Sequence, residues 1–401
     1  MANTTLTELD LGANNIGPNV AEALSEALRA NSTLTSLNLG GNNIGPNGAQ
    51  ALSEALKTNS RLTTLNLRSI SLGSDGVQAL SEALKINSTL TTLNLTGNKV
   101  GPNGAQVLSE ALKTNSILTT LDLGWNSIGP EGAQALFEAL KTNSALTTLN
   151  LINNSIRPDG AQALSEALRA NSTLTTLELS SNWIGDHGAQ ALSEALKTQS
   201  TLTTLDLGCN SIGPEGARAL SEALKTNSTL ATLDLSINSI GPDGAQVLSE
   251  ALKTNSTLTT LDLHHNSIGP HGTQALSEAL RTNKTVLDNA EYLSALDTYL
   301  STQEEPQPSE TRQQHRGRIK DEIKRFRIKQ AISIRRDQHA TISNLNNTRQ
   351  TILLGLSQSS GAAKVSLARD LDELELLLQQ QMIEELDIHA LRSGTTSRKH
   401  G

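Results

Sequence analysis

The sequence predicts an α/β solenoid in which short parallel strands stack into one inner sheet and each strand is followed by an outer helix. Three observations carry this. A 28-residue unit recurs ten times without insertion, its first leucine falling at Leu6, Leu34, Leu62, Leu90, Leu118, Leu146, Leu174, Leu202, Leu230 and Leu258. Each unit runs from an alternating segment into one with helical spacing. Aromatic residues make up only 1 % of the chain, which suits thin repeated layers better than one thick core. A unit of this size cannot bury its apolar face alone, so it stacks on its neighbours and the core grows by addition.

The fifth unit justifies each element in turn. Leu121 and Leu123 alternate with Thr120 and Asp122, the period of a short strand with one buried face. Asn126 follows where the chain turns away, and nine of the ten units have asparagine there, the third having Ile70. A column of buried amides would satisfy backbone groups that stacking removes from water. Ile128 re-enters the core, and Gly129-Pro130 opens a helix, since proline is tolerated in the first turn. Ala133, Ala135, Leu136, Ala139 and Leu140 follow helical spacing, with Gln134, Glu138 and Lys141 facing water. Glu138 and Lys141, three apart, are placed to pair. Asn143 is expected to close the helix in a left-handed cap. The strand is narrower than the helix, so the stack is expected to curve with its strands inside, about 45 Å along the sheet at roughly 4.8 Å per strand.

The phrase L-x-x-L-x-L-x-x-N-x-I/L followed by a helix resembles the leucine-rich repeat of the ribonuclease-inhibitor type, over about residues 4–284. The Gly-Pro-x-Gly-Ala and Ala-Leu-Ser-Glu-Ala-Leu segments are most similar to the repeats of NOD-like receptors and less so to Ran GTPase-activating proteins. The resemblance implies a leucine-rich repeat solenoid, a horseshoe whose hollow meets other molecules. The sequence lacks the nucleotide-binding Gly-x-x-x-x-Gly-Lys-Ser/Thr motif and the acidic tail usual in the Ran activators.

Ten repeats span 1–284. The first starts without a polar capping segment and has Val20 in place of the usual glycine, which predicts exposed apolar surface: either the chain is a truncated product or its own tail packs there. Residues 285–301 read as a capping helix bearing Tyr292, Leu293, Leu296, Tyr299 and Leu300. Residues 302–315 read as a polar linker, 316–392 as a helical hairpin or coiled-coil-like module, and 393–401 as a disordered end. Leu367, Leu371, Leu374, Leu378 and Met382 line one face of its second helix.

Charge divides the chain the same way. Residues 1–301 hold 16 Lys and Arg against 27 Asp and Glu, and residues 302–401 hold 16 against 13. Ten basic residues lie between Arg312 and Arg336. For 316–336 the alternatives are contact with a nucleic acid or an anionic membrane and, favoured over these, a solvated face of a hairpin or of a dimerising coiled coil, with self-association through the tail. The lone Cys209 excludes an intramolecular disulfide, and with no apolar leader the expectation is a soluble, cytoplasmic protein. Asn-Ser-Thr triplets at Asn31, Asn87, Asn171, Asn227 and Asn255 match the glycosylation pattern as a by-product of the repeat.

Function is sought where units depart from their consensus. On the inner face these positions are Arg68, Trp125, Ile152, Asn153, Trp183, Cys209, Ile237, His264 and His265. Both tryptophans of the chain fall there, two units apart with Ile152 and Asn153 between them, and exposed tryptophans are binding anchors. Asp122, Glu178, Asp206, Asp234 and Asp262 share one outward strand position, where Asn38, Asn66, Asn94 and Asn150 sit elsewhere. Neighbouring carboxylates about 5 Å apart repel by roughly 1 kcal/mol even in water. Such a column does nothing for folding and so points to a basic partner. His264, His265 and His271 lack metal-ligand spacing, the first two being expected on different sides of a strand end. No catalytic residue, metal or cofactor is expected. The reading is a non-enzymatic scaffold holding a protein partner through Arg68, Trp125, Ile152, Asn153, Trp183, Asp206, Asp234, Asp262, His264 and His265. The alternatives are an activator of a small GTPase and a ribonuclease inhibitor.

Overall fold

The computed structural model describes residues 5–282. The expected capping helix, linker, helical module and terminal segment over 285–401 lie outside the described residues. Strands β1 to β10 are Glu8–Asp10, Ser36–Asn38, Thr64–Asn66, Thr92–Asn94, Thr120–Asp122, Thr148–Asn150, Thr176–Glu178, Thr204–Asp206, Thr232–Asp234 and Thr260–Asp262. Helices α1 to α10 are Pro18–Ala30, Gly45–Leu56, Gly73–Leu84, Gly101–Leu112, Gly129–Leu140, Arg157–Ala170, Gly185–Leu196, Pro214–Leu224, Gly241–Leu252 and Gly269–Thr282. The strands form one parallel sheet in chain order, residue i facing residue i+28 throughout. Each helix packs on the helix of the next layer. This is the leucine-rich repeat solenoid.

The core is a stack of identical leucine layers. In the fifth, Leu118, Leu121, Leu123, Ile128, Ala133, Leu136, Ala139 and Leu140 are all buried. Phe137 is buried beside them where most units have serine. Gly129 opens α5 at a φ of 69°, a left-handed conformation that suits glycine. Gly132 is required for another reason: a Cβ there would lie 2.8 Å from Ile128 Cγ2 and 2.9 Å from Pro102 Cα. Lys141 Nζ and Glu138 pair across 2.6 Å on the outer surface.

The asparagine column forms as expected. Asn126 is fully buried; its Nδ2 donates to Leu95 O (3.0 Å) and Leu123 O (2.9 Å), and its Oδ1 accepts from the N–H groups of Asn98 (2.9 Å) and Val100 (3.2 Å). Ile70 interrupts it. The isoleucine is buried in the same slot but offers no amide oxygen, so the N–H groups of Asn42 and Ile44 lack the acceptor their counterparts meet.

Asn143 corrects an expectation. Helix α5 ends at Leu140, Lys141 stays right-handed, and Asn143 is not among the residues of positive φ. Its Nδ2 instead donates to Leu112 O (2.7 Å) and Asn115 O (3.0 Å), while its Oδ1 accepts from the N–H groups of Ala145 and Leu146. Leu112 ends α4, so the amide satisfies a helix-terminal carbonyl of the preceding layer. Asn59, Asn87, Asn115, Asn171, Asn227 and Asn255 reach back in the same way, to Leu28, Leu56, Leu84, Leu140, Leu196 and Leu224. Two amide ladders, one at each end of the helix, join the layers, the first broken at Ile70 and the second at Gln199, whose Nε2 turns to Thr201 Oγ1 (2.6 Å) instead of reaching back.

One layer boundary is built differently. Asp186 stands where most units have the helix-opening proline, and its Oδ1 accepts from the N–H groups of Gly213 (2.7 Å) and Gly216 (2.8 Å) at the start of α8. Gly213 is extended there (φ −101°, ψ −166°) rather than left-handed, and α8 begins one residue late, at Pro214, as α1 does at Pro18. In the first unit Leu6 and Val20 are exposed, as the sequence predicts.

Candidate partner-binding face

The outward faces of the strands form two columns. Serine or threonine fills the first over β2–β10, from Ser36 to Thr260, and the second runs Asp10, Asn38, Asn66, Asn94, Asp122, Asn150, Glu178, Asp206, Asp234, Asp262. Four adjacent strands, β7 to β10, therefore carry a carboxylate each at a spacing of about 4.8 Å. All four are half-buried.

Contrary to expectation, the second column serves the fold. Asp122 Oδ1 accepts the Gly124 N–H at 2.9 Å, Asn150 Oδ1 the Ile152 N–H at 2.8 Å, and Asp206 Oδ1 the Gly208 N–H at 2.8 Å. These side chains end the strand by mimicking a backbone turn. Asparagine does this as well as aspartate, so the turn accounts for an Asx side chain and leaves the charge unexplained.

The charges interact. Burial, opposed by the Gly208 N–H, pushes the Asp206 carboxyl up to about 6, and Asp234, Glu178 and Asp262 add to it. Glu178 is raised by burial and by Asp122. Asp262 moves the other way: burial would raise it, but hydrogen bonds from the His264 ring and N–H and the nearby imidazoles together hold it low. His264 Nδ1 lies 2.7 Å from Asp262 Oδ1, a contact that raises the imidazole above its ordinary value against the effect of burial.

The remaining candidates lie past the strands, in the turns at the sheet's edge. Arg68, Ile152 and His264 hold one position; Trp125, Asn153, Cys209, Ile237 and His265 hold the next, all in left-handed backbone with φ between 51° and 59°. Trp183 belongs to a third position, on the far side of a buried ladder asparagine (Asn182) from the one Trp125 occupies beside Asn126. The two tryptophans thus share an edge but not a column. Both are exposed, at 53 % and 66 %, as is Ile237. A left-handed β-branched or aromatic residue is uncommon, and these three gain little burial in return. His264 and His265 do not diverge as expected: their rings meet edge-on with centroids 5.1 Å apart, because β10 ends at Asp262 and strand alternation no longer applies. Among the described residues no three His, Cys, Asp or Glu side chains converge to hold a metal, and no helix is long and apolar enough to cross a membrane.

Comparison with known proteins settles the family. A profile of the NLRC3 LRR domain matches residues 1–289. The chain belongs to the NLRC3 LRR family. Of the solved structures, the actin-binding site 2 of leiomodin-1 is 25 % identical and covers 42 % of this chain and 95 % of its own length, with a TM-score of 0.33. The leucine-rich repeat-containing protein LegL7 from Legionella pneumophila is 23 % identical and covers 70 % of this chain and 91 % of its own, with a TM-score of 0.46. No curated protein matches. Membership in the NLRC3 LRR family fits a role as a protein-interaction scaffold.

Proposed function

We propose that this chain is a non-enzymatic scaffold that holds a basic protein partner across the outward face of β5–β10. The observation that carries the reading is the run Glu178, Asp206, Asp234 and Asp262 on four adjacent strands in register. Asparagine at the three aspartate positions would keep their turn bonds and relieve the repulsion that helps to raise Asp206. A surface that retains charge against its own stability fits a partner of opposite charge. Trp125 and Trp183 at the edge of the same face are suited to act as anchors, since exposed tryptophans dominate interface energetics.

The test is affinity capture from native lysate, followed by calorimetry on the captured partner. Replacing Asp206, Asp234 and Asp262 by asparagine is expected to weaken binding about tenfold, at roughly 0.5 kcal/mol per solvent-screened charge, and to flatten its salt dependence. Trp125→Ala and Trp183→Ala should accelerate dissociation. A partner held equally well by all these variants would remove the case for this face. A large stimulation of GTP hydrolysis on adding the chain to a small GTPase would replace the scaffold reading with the activator.

A further inference from the structure

Four of the five Asn-Ser-Thr triplets coincide with the second amide ladder, and this has a consequence for where the chain can fold. Asn87, Asn171, Asn227 and Asn255 are 4–6 % exposed. Each Nδ2 is engaged with the preceding layer: Asn87 with Leu56 O (2.7 Å), Asn171 with Leu140 O (2.8 Å) and Asn143 O (3.2 Å), Asn227 with Leu196 O (2.8 Å), and Asn255 with Leu224 O (2.7 Å) and Asn227 O (3.1 Å). Their Oδ1 atoms accept the N–H groups of Leu90, Leu174, Leu230 and Leu258. A glycosylated asparagine normally stands on an exposed loop. Here the nitrogen that would carry the glycan lies between two layers of a packed stack. Asn31, in the first layer, is only half-buried.

We infer that N-glycosyl transfer to these four asparagines and folding of the repeat exclude one another, so the chain folds only in a compartment without that reaction. The transfer forms a bond from Asn Nδ2 to the anomeric carbon of an oligosaccharide donor and breaks that carbon's bond to the donor's lipid diphosphate. The diphosphate leaves with the bonding electrons, and one amide proton is released. An oligosaccharide on Nδ2 then occupies the space of the preceding layer's helix end. Each asparagine is fixed from both sides, its Nδ2 by the preceding layer and its Oδ1 by the N–H of the leucine that opens the next unit. It is therefore locked only after the strand that follows it has been made and paired, and in a growing chain that strand emerges after the triplet does.

The structure also supplies the control. The third residue of the triplet is dispensable, because Arg61, Ile117 and Ala145 occupy that position in other units. Changing Thr89, Thr173, Thr229 and Thr257 to alanine therefore disables four acceptor sites while keeping every ladder asparagine. The full chain and this four-site variant are each expressed in the cytosol and, behind a secretory leader, in the secretory pathway of a glycosylating cell. Protease resistance and site-resolved glycopeptide mapping are then measured. In the cytosol both are expected to be resistant. In the secretory pathway the parent should carry glycans on one or more of the four asparagines and be protease-sensitive, and the variant should yield at least tenfold more resistant protein. Blocking synthesis of the glycan donor should rescue the parent, which tests the inference without any substitution. Protease-resistant secretory parent made with donor synthesis intact, whether bare or glycosylated at these four residues, overturns it. So does a parent that stays sensitive when the donor is withheld.

Discussion

Replacing Asp206 by asparagine should make the protein more stable at neutral pH and less able to hold its partner. Asp206 sits between Glu178 and Asp234, one strand away on either side. Asn150 shows that the amide makes the same turn bond, so the substitution removes charge and little else. Two neighbouring carboxylates about 5 Å away contribute roughly 0.8 kcal/mol each at the dielectric of water. The same figure follows from titration. A carboxyl that ionises at about 6 in the fold and at 3.8 in the open chain binds its proton more tightly when folded. Its contribution to stability is therefore complete below pH 4 and is lost as the pH rises through 6. The full shift corresponds to about 3 kcal/mol, which solvent at this partly exposed position reduces to about 1–2 kcal/mol. Urea titrations of Asp206→Asn and the parent should thus agree near pH 4 and diverge to about 1–2 kcal/mol in favour of the variant by pH 7.5. An advantage that is absent at pH 7.5, or the same at both pH values, would refute the argument that burial and like charge set this residue's behaviour.

Two further substitutions test the ladders and the odd layer boundary. Ile70→Asn reverses the usual rule for a buried apolar site: restoring acceptors for the N–H groups of Asn42 and Ile44, at about 1–3 kcal/mol each, offsets the lost apolar burial and leaves stability equal or higher. The converse Asn126→Ile should cost at least about 3 kcal/mol; both are read from denaturant midpoints, and a loss above about 2 kcal/mol for Ile70→Asn contradicts the account. Asp186→Ala should cost about 1–2 kcal/mol and shift the amide resonances of Gly213 and Gly216, whereas His187→Ala, one residue on and exposed, should do neither.

The fold was legible because period is a property of the string. A unit of 28 with leucines at fixed offsets admits one stacking geometry, and Asn126 announces its ladder by recurring in nine of the ten units between the apolar positions Leu123 and Ile128. Asn143 was harder to place, since asparagine after a helix fits a left-handed cap and a cross-layer clamp equally well; only the distance to Leu112 O decides. The carboxylate column was visible, but its turn bonds were not, because a side chain bonding two residues along leaves no mark on the alternation pattern. Trp125, Trp183, His264 and His265 stand out as departures from consensus, but strand alternation does not predict where their side chains lie. Left-handed residues flank the buried asparagine on both sides in the fifth and seventh units, so two-residue alternation fails within three residues of the strand's end. The role of Asp186 is not legible in its own unit, because its partners Gly213 and Gly216 belong to the following one.

Interchangeable layers raise a question of address. When every repeat presents the same surface above and below, a collapsing chain can seat one on a stranger and bury nearly the same leucines, closing a loop of 56 or 84 residues where 28 was meant. The carboxylate of Asp186 discriminates, since it finds its acceptor-seeking amides only on a successor that starts its helix late. Ile70 and Phe137 mark two more floors of the stack in the same manner. The few irregular storeys are thus what lets a monotonous sequence tell its own order.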